Sequence, residues 1–380
     1  MMAVRTVEGN EAWRGAARSE ASQWAATVDR FQSEPVQISH TPAFGLDRDA
    51  RFFCMGSCFA RNIEEHLIYR GANVLSKRVV SPKSEWPARA NGFLNKFTTH
   101  SMLQELRWLE TPPSDPQAHL TETANGWRDL HLTPGLQGST LERALERRAW
   151  LAAEYFPRLR SADVVLMTLG LNEVWRDQET DTRLNAAPGP WEVRRRPDRY
   201  QLEITDAQDN LDALEEIRER LKRLNPAMKM VVTVSPVPMG TTFSDQDVAV
   251  ANSLSKSVLR AAAGAFEARH ADVDYFPSYE IVTLSPRTFA YGLDCLHVSD
   301  QIVGHVMEQF MQAYLGEAAP RLAPDDFTEL SYLDANPDVE DAVRRGDLSS
   351  GFEHWMRTGR EEGRPLRTEQ LSDRALRAGV

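Results

Sequence analysis

The stretch Arg51-Phe52-Phe53-Cys54-Met55-Gly56-Ser57-Cys58-Phe59-Ala60, RFFCMGSCFA, decides the fold. Its first five residues are a short apolar run with two aromatics, which reads as a strand and stops at Gly56. Past the glycine the period changes. Phe59, Ile63, His66 and Leu67 share one helical face, while Glu64 and Glu65 lie on another. A buried strand, a glycine turn and a helix N-terminus in that order are the first half of a β-α unit.

Two further runs repeat the strand signal. ADVVLMTLG (Ala162 to Gly170) follows the charged helical pattern LERALERRAWLAAEYF, and MKMVVTVSPVP (Met228 to Pro238) follows another from Leu211 to Leu224. Their hydrophobicity is continuous rather than alternating, so both faces are covered, as in a parallel sheet between helices. A fourth strand is expected at Ala271 to Phe276, and a last helix from near Ser299 with Ile302, Val306 and Phe310 inward. The fold class is therefore α/β, a three-layer doubly wound parallel sheet. The stretch from Val79 to Gly138 is irregular apart from a helix near Met102 to Trp108, and a connection that long builds a lid or binding wall. Residues 1–40 read as an N-terminal helical extension lying against the larger body, 41–320 as the main domain and, beyond the PRLAP break, 325–367 as a small helical module. A charged tail follows from about Thr368.

Composition narrows the function classes. At 380 residues, with 42% hydrophobic and 26% charged side chains, the chain can bury a large core, which rules out global disorder. A net charge of −11 repels phosphate backbones, so no nucleic-acid partner is expected. No apolar run reaches the ~18 residues of a membrane span, and the first residues lack a secretory apolar core, so a cytoplasmic protein is the default. Cys54, Cys58 and Cys295 form neither a disulfide framework nor a zinc-ligand pattern, and no metal or bound cofactor is expected.

Ligands of an open parallel sheet sit outside the carboxyl ends of its strands. After the first strand, a nucleophile at Ser57 or Cys58 would meet the unpaired N–H groups of a helix N-terminus, where a thiol should have a lowered pKa. After the second come Gly170, Leu171, Asn172 and Glu173, whose glycine N–H and asparagine amide suit an oxyanion hole. The third ends in Ser235-Pro236-Val237-Pro238, a rigid turn that can wall a pocket. Before the last helix stand Asp294 and His297, spaced so that the carboxylate can orient the imidazole toward a nucleophile on another strand. His100 and His131 lie in the irregular stretch and can line a cleft. His66, His305 and His354 suit packing or surface roles, and Lys256, in a polar Ser-Leu-Ser-Lys-Ser stretch, carries no catalytic role.

In this order, the Gly-Ser-Cys elbow, Gly-x-Asn and Asp-x-x-His resemble the block arrangement of the SGNH (GDSL-like) hydrolases. The strings GSCFA, LGLNEVW, SPVP, ANSLSKSVLR and YFPSYE closely resemble the GSCFA family, a group allied to them, over roughly residues 10 to 318. The resemblance implies an SGNH-hydrolase-like sheet. It implies a catalytic set drawn from Cys58 or Ser57 with His297 and Asp294, and an oxyanion hole from Gly170 and Asn172. Gly92 or Asn95 is its candidate for the second-block donor. Counting from the glycine puts Cys58 at the nucleophile position and Ser57 where the superfamily has aspartate. Glu173, Ser235 and His100 are the substrate-binding candidates by their places at the strand ends and in the irregular stretch. The implied activity is acyl transfer, by an esterase or an O-acyltransferase, on a small-molecule, acyl-thioester or carbohydrate-linked substrate, with acyl-CoA suited as a co-substrate. The competing reading is a non-catalytic glycan- or acyl-carrier-binding protein.

The tail, with Tyr332, Leu333, Asn336, Pro337, Asp338, Val339, Gly346, His354, Gly359 and Gly363, resembles a short unit attached to bacterial surface-polysaccharide and glycosyltransferase proteins. Its small core is marginal alone, so it is expected to dock on the main domain or on a polysaccharide-related partner protein.

Overall fold

In the computed structural model, which describes residues 6–32, 35–316 and 320–368, the opening stretch is a strand and a helix as read. Strand β1 (Arg51–Gly56) runs into helix α1 (Cys58–Ile68). The remaining sheet strands are β2 (Asn73–Val74), β3 (Val164–Leu169), β4 (Lys229–Val234) and β5 (Val273–Tyr275). All pair in parallel, in the spatial order β2-β1-β3-β4-β5. The chain leaves β1 toward β2 and returns to the other side of β1 as β3. The reversal of strand order therefore lies between β1 and β3, where a doubly wound sheet opens its ligand crevice.

Alternation along β1 builds the two outer layers. Phe52 and Cys54 face a core made with α1 and the last helix, α6 (Asp300–Leu315), through Phe59, Ile63, Leu67, Ile302, Val306 and Phe310. Phe53 and Met55 face the opposite core. There helices α2 (Thr99–Glu110), α4 (Ala207–Leu224) and α5 (Val248–Glu267) cover the sheet. Helix α3 (Leu141–Trp150) precedes β3 and leads into Leu151, Tyr155, Phe156 and Leu159 of that same core.

Several features go beyond the sequence reading. β2 has two residues and follows a loop with no strand pattern. Residues Glu173–Asp177, Thr182–Arg183 and Tyr200–Ile204 form a small antiparallel sheet immediately after the β3 turn. The irregular stretch also holds a hairpin of Thr121–Thr123 and Gly126–Arg128. At the N-terminus, helix Gly9–Ala17 buries none of its residues, contrary to the expectation that it lies against the body. Trp13 is its only large apolar side chain, so it has no stripe to bury and stays 79% exposed. Farther on, Val36 is buried and its N–H donates to Ser285 Oγ at 3.0 Å. Residues 1–5 of the N-terminal extension, 317–319 at the end of the main domain and the charged tail from residue 369 lie outside the described residues.

The C-terminal helices Glu329–Ala335, Pro337–Arg345 and Gly351–His354 share one apolar cluster with the main domain. Phe327 is wholly buried and packs edge-on against Tyr69 of the main domain, with ring centroids 5.5 Å apart. The Tyr69 hydroxyl accepts from Glu329 N–H at 2.8 Å, and Arg344 donates to Trp86 O at 2.8 Å. Phe327→Ala is therefore expected to cost about 3–5 kcal/mol and to shift one cooperative urea transition of the whole chain. Two resolved transitions would show that the module folds apart from the main domain.

Candidate active site at the strand ends

The elbow is set by a collision that only glycine avoids. Gly56 has φ +149°, and a β-carbon there would lie 2.0 Å from Thr168 Oγ1 and 2.7 Å from Thr168 O on β3. In the space so kept, Thr168 Oγ1 accepts the Ser57 N–H at 3.2 Å. Ser57 is the N-cap of α1. Its Oγ accepts from Phe59 N–H at 3.3 Å and pairs with Ser235 Oγ at 2.9 Å, beyond the end of β4. Both serines are buried. Cys58 is the first residue of the helix and only half-buried.

A wall from the irregular stretch closes the side of the elbow. Lys96 N–H donates to Gly56 O at 2.7 Å, and Phe97 O accepts from Leu171 N–H at 2.7 Å. The wall thus spans the ends of β1 and β3. Asn185 fixes it by donating to Asn95 O at 2.8 Å and accepting from Phe97 N–H at 2.8 Å. Gly170 is glycine because a β-carbon would stand 2.7 Å from Phe97 O. Helix α5 supplies the remaining side. Asn252 Oδ1 accepts from Met239 N–H at 2.9 Å, and Ser255 Oγ accepts from Asn172 N–H at 3.0 Å. Lys256 Nζ donates to Gly170 O and Val237 O, each at 2.8 Å.

Electrostatics at Cys58 overturn one expectation. Burial pushes the thiol up, while Arg89, the N–H groups of Phe59 and Cys58 and the Lys256 charge oppose without cancelling it. The helix N-terminus alone does not make a thiolate where the sulfur is this poorly solvated. Arg89 is braced along the same helix, by Asn62 Oδ1 at 2.6 Å and Glu65 at 2.9 Å.

Asp294 and His297 form a dyad. His297 Nδ1 lies 2.6 Å from Asp294 Oδ2, and Asp294 Oδ1 accepts the N–H groups of Leu296 and His297, each at 3.0 Å. The His297 hydrogen bond and those N–H groups hold the Asp294 carboxyl down at about 2. The dyad sits on a tight loop between Tyr291 and Val298. Tyr291 OH ties that loop to Pro236 O, beside Ser235, at 3.0 Å. The His297 side chain is 64% exposed, and among the described residues no hydrogen bond joins it to Cys58 or Ser57. The expected hydrogen bond to the elbow is not made among the described residues, and the ring stands largely in solvent.

Other candidates are reassigned by their partners. Gly92 spends its N–H on Arg89 O at 2.8 Å, so it is no oxyanion donor. Asn172 is buried with its amide donating to Thr205 O at 3.0 Å, which anchors the antiparallel sheet rather than aiming at the elbow. Asn95, beside Lys96 on the wall, has a buried Oδ1 with no hydrogen-bond partner, and its amide nitrogen has none among the described residues. It is the unclaimed side-chain amide at this place. Glu173 accepts from Thr242 Oγ1 and, at 2.8 Å, from Phe243 N–H, so it anchors a loop rather than substrate. Ser235 has no exposed surface and positions Ser57 instead. His100 is placed among Arg183, Glu203 and Asp209, away from the elbow, where burial and Arg183 bring it down to about 4. His131 packs against Trp108 with ring centroids 4.3 Å apart.

Thr168, Arg89 and Lys256 were missed as site residues. The signal for Lys256 is present in the sequence. Asn252, Ser255 and Lys256 stand at i, i+3 and i+4 on a helix face that continues as Leu259, Ala262 and Phe266. Polar residues in line with a buried stripe need polar partners at the sheet end.

The GSCFA family matches residues 51–310. No curated protein matches the chain. Among solved structures, a protein described as a GDSL-like lipase from Parabacteroides merdae is 14% identical, covering 72% of this chain and 99% of that one, with a TM-score of 0.32. A carbohydrate esterase family 3 protein from Talaromyces cellulolyticus is 11% identical, covering 70% and 99%, with a TM-score of 0.28. Likenesses this distant carry no residue roles to this chain.

Ser57→Ala removes an N-cap and is expected to cost ~1 kcal/mol while leaving Cys58 open to iodoacetamide. Gly56→Ala is expected to cost more than about 3 kcal/mol, read by thermal melting. Equal melting temperatures for the two variants would contradict the contact with Thr168.

Proposed function

The chain belongs to the GSCFA family, and on that premise we propose that it is an acyl-transfer enzyme, an esterase or O-acyltransferase, with Cys58 as its nucleophile. The observation that carries this reading is the division of labour at the elbow. Ser57 commits its hydroxyl to Ser235 and to the helix N-terminus, whereas Cys58, less buried than Ser57, commits its thiol to no other side chain among the described residues. A serine so buried is poorly placed to meet a carbonyl carbon.

The Cys58 thiol gives its proton to a base at the elbow, and its Sγ attacks the acyl carbonyl carbon. The first N–H groups of α1 and the Asn95 amide are the donors for the resulting oxyanion. The leaving oxygen or sulfur takes its proton from the His297 imidazolium as the carbon–heteroatom bond breaks, leaving an acyl-thioester on Cys58. Neutral His297 then takes a proton from water or a sugar hydroxyl, which attacks the thioester and releases Cys58. Asp294 holds the Nδ1 tautomer throughout. Exposure of the dyad suits this second role, since the acceptor arrives from solvent. The tail's likeness to units of polysaccharide proteins supports a carbohydrate-linked acceptor, with an acyl-CoA as donor in a transfer reaction.

The test uses p-nitrophenyl esters and acyl-CoAs in a Cys295→Ser background, because Cys295 is exposed and would also alkylate. Cys58→Ala is expected to abolish turnover and Ser57→Ala to retain it. His297→Ala should lower kcat by about 10²–10⁴ without slowing alkylation of Cys58. Full activity in Cys58→Ala would hand the reaction to another group. Glycan binding without turnover on any substrate would favour the binding-protein reading.

A further inference from the structure

Lysines 77, 96 and 256 are all buried, and they differ in what neutralises them. Lys77 lies 3.1 Å from the Glu65 carboxylate, and Lys96 is paired with Glu105. For Lys256, wholly buried on α5, no carboxylate partner exists among the described residues. Its Nζ is fixed by Gly170 O at the end of β3 and Val237 O beyond β4. Those two bonds leave one of the three ammonium hydrogens without an acceptor among the described residues. A buried ammonium with no counter-ion is costly and tends to lose its proton. Burial accordingly brings Lys256 down to about 7, and the one charged group that acts against that fall is Cys58. Both residues are drawn to the same strand ends, Cys58 beside the Ser57–Ser235 contact at 2.9 Å and Lys256 by Val237 O at 2.8 Å, and Lys256 in turn favours the Cys58 thiolate. Arg89, which acts more strongly on the thiol, is already paired with Glu65.

We propose, building on the assignment of Cys58 as nucleophile, that Lys256 is the proton acceptor of the Cys58 thiol, so that the elbow works as a Cys58–Lys256 pair. Among the described residues no hydrogen bond joins Nζ to Sγ, so the amine lone pair takes the thiol proton through one bridging water, and the sulfur keeps the S–H electrons as a thiolate. Those electrons form the S–C bond to the acyl carbon. When the thioester later breaks, the released thiolate recovers the proton from Nζ, and the amine is restored. Because proton transfer turns two neutral groups into opposite charges at the same strand ends, each ion offsets the burial of the other. The geometry explains how a thiol raised by burial is activated while His297 stands on an outer loop. His297 then serves the leaving group and the acceptor alone.

The test reads the thiol and the amine rather than turnover, again in the Cys295→Ser background. Alkylation of Cys58 by iodoacetamide is expected to rise through an inflection near pH 7, where Lys256 loses its proton. Lys256→Gln keeps amide donors for the two carbonyls and should lose that inflection, slowing alkylation at pH 7.5 by roughly tenfold. Superimposable pH profiles for the two proteins would overturn the pair. If Lys256→Gln melts below the assay temperature, the Lys256 side chain is followed by NMR titration in the parent and in Cys58→Ala. The lysine inflection should fall further without the thiol. An ordinary lysine value near ~10.4 in the parent would overturn the proposal. Coupled titration together with full esterase activity in Cys58→Ala would sink the nucleophile assignment while leaving the pair standing, so the two failures are separable.

Discussion

Gly56 and Thr168 meet across the parallel pairing of β1 and β3 with no room between them for a β-carbon. The rest of the site is arranged around that contact. It lets Ser57 N–H reach Thr168 Oγ1, which turns the chain out of the sheet at one fixed residue and starts α1 at Cys58. Once the turn is fixed, Gly56 O faces Lys96 N–H, and the wall carrying Asn95 is held against the elbow. The same economy recurs at Gly170, where the absent side chain admits Phe97 O. Two close backbone approaches thus bring three distant segments to the point where the strand order reverses.

Charge is buried around this point in a consistent way. Arg61 on α1 lies 3.0 Å from Glu64 and donates to Cys54 O at 2.8 Å, so the helix is tied back to the strand it leaves. Glu64 in turn accepts from Ser76 Oγ and from the Asn91 amide. On the other side of the wall, Lys96, Glu105, Arg148 and Asp129 alternate in sign. Removing one member of such a set leaves a buried charge unpaired, which is far more costly than the set's net contribution. These networks tie the elbow to the segments around it. Lys256 departs from the pattern, being buried at the strand ends with no carboxylate partner among the described residues.

The dyad is built on the opposite principle. Asp294 and His297 hold each other through a two-point contact within one exposed turn, and Cys295 in that turn has φ +54°. The loop is anchored at its base by Tyr291 and is open to solvent at its tip, where Leu293 is fully exposed. In the proposed acyl transfer, a nucleophile anchored at a strand end and a loop-borne imidazole divide the two steps, because the first step needs position and the second needs access.

How much of this was legible in the sequence follows from the range of the interactions concerned. The buried strands at 51–56, 164–169 and 229–234, the helix starting at Cys58 and the Asp294–His297 dyad depend on local periodicity and on contacts within a few residues, so the sequence by itself determined them. The two-residue β2 and the small sheet after Asn172 carry too short or too polar a signal to stand out. The partners of Ser57, Asn172, Glu173 and Ser235 lie 33 to 178 residues away. Residue type alone could not show that a serine was a cap, an asparagine an anchor or a glutamate a loop clasp. The burial that raises the Cys58 thiol and lowers the Lys256 ammonium likewise arises only when the wall and α5 close over the strand ends. Tertiary structure decided these roles, because hydrogen-bond satisfaction and desolvation are properties of the packed chain and have no counterpart in the order of its residues.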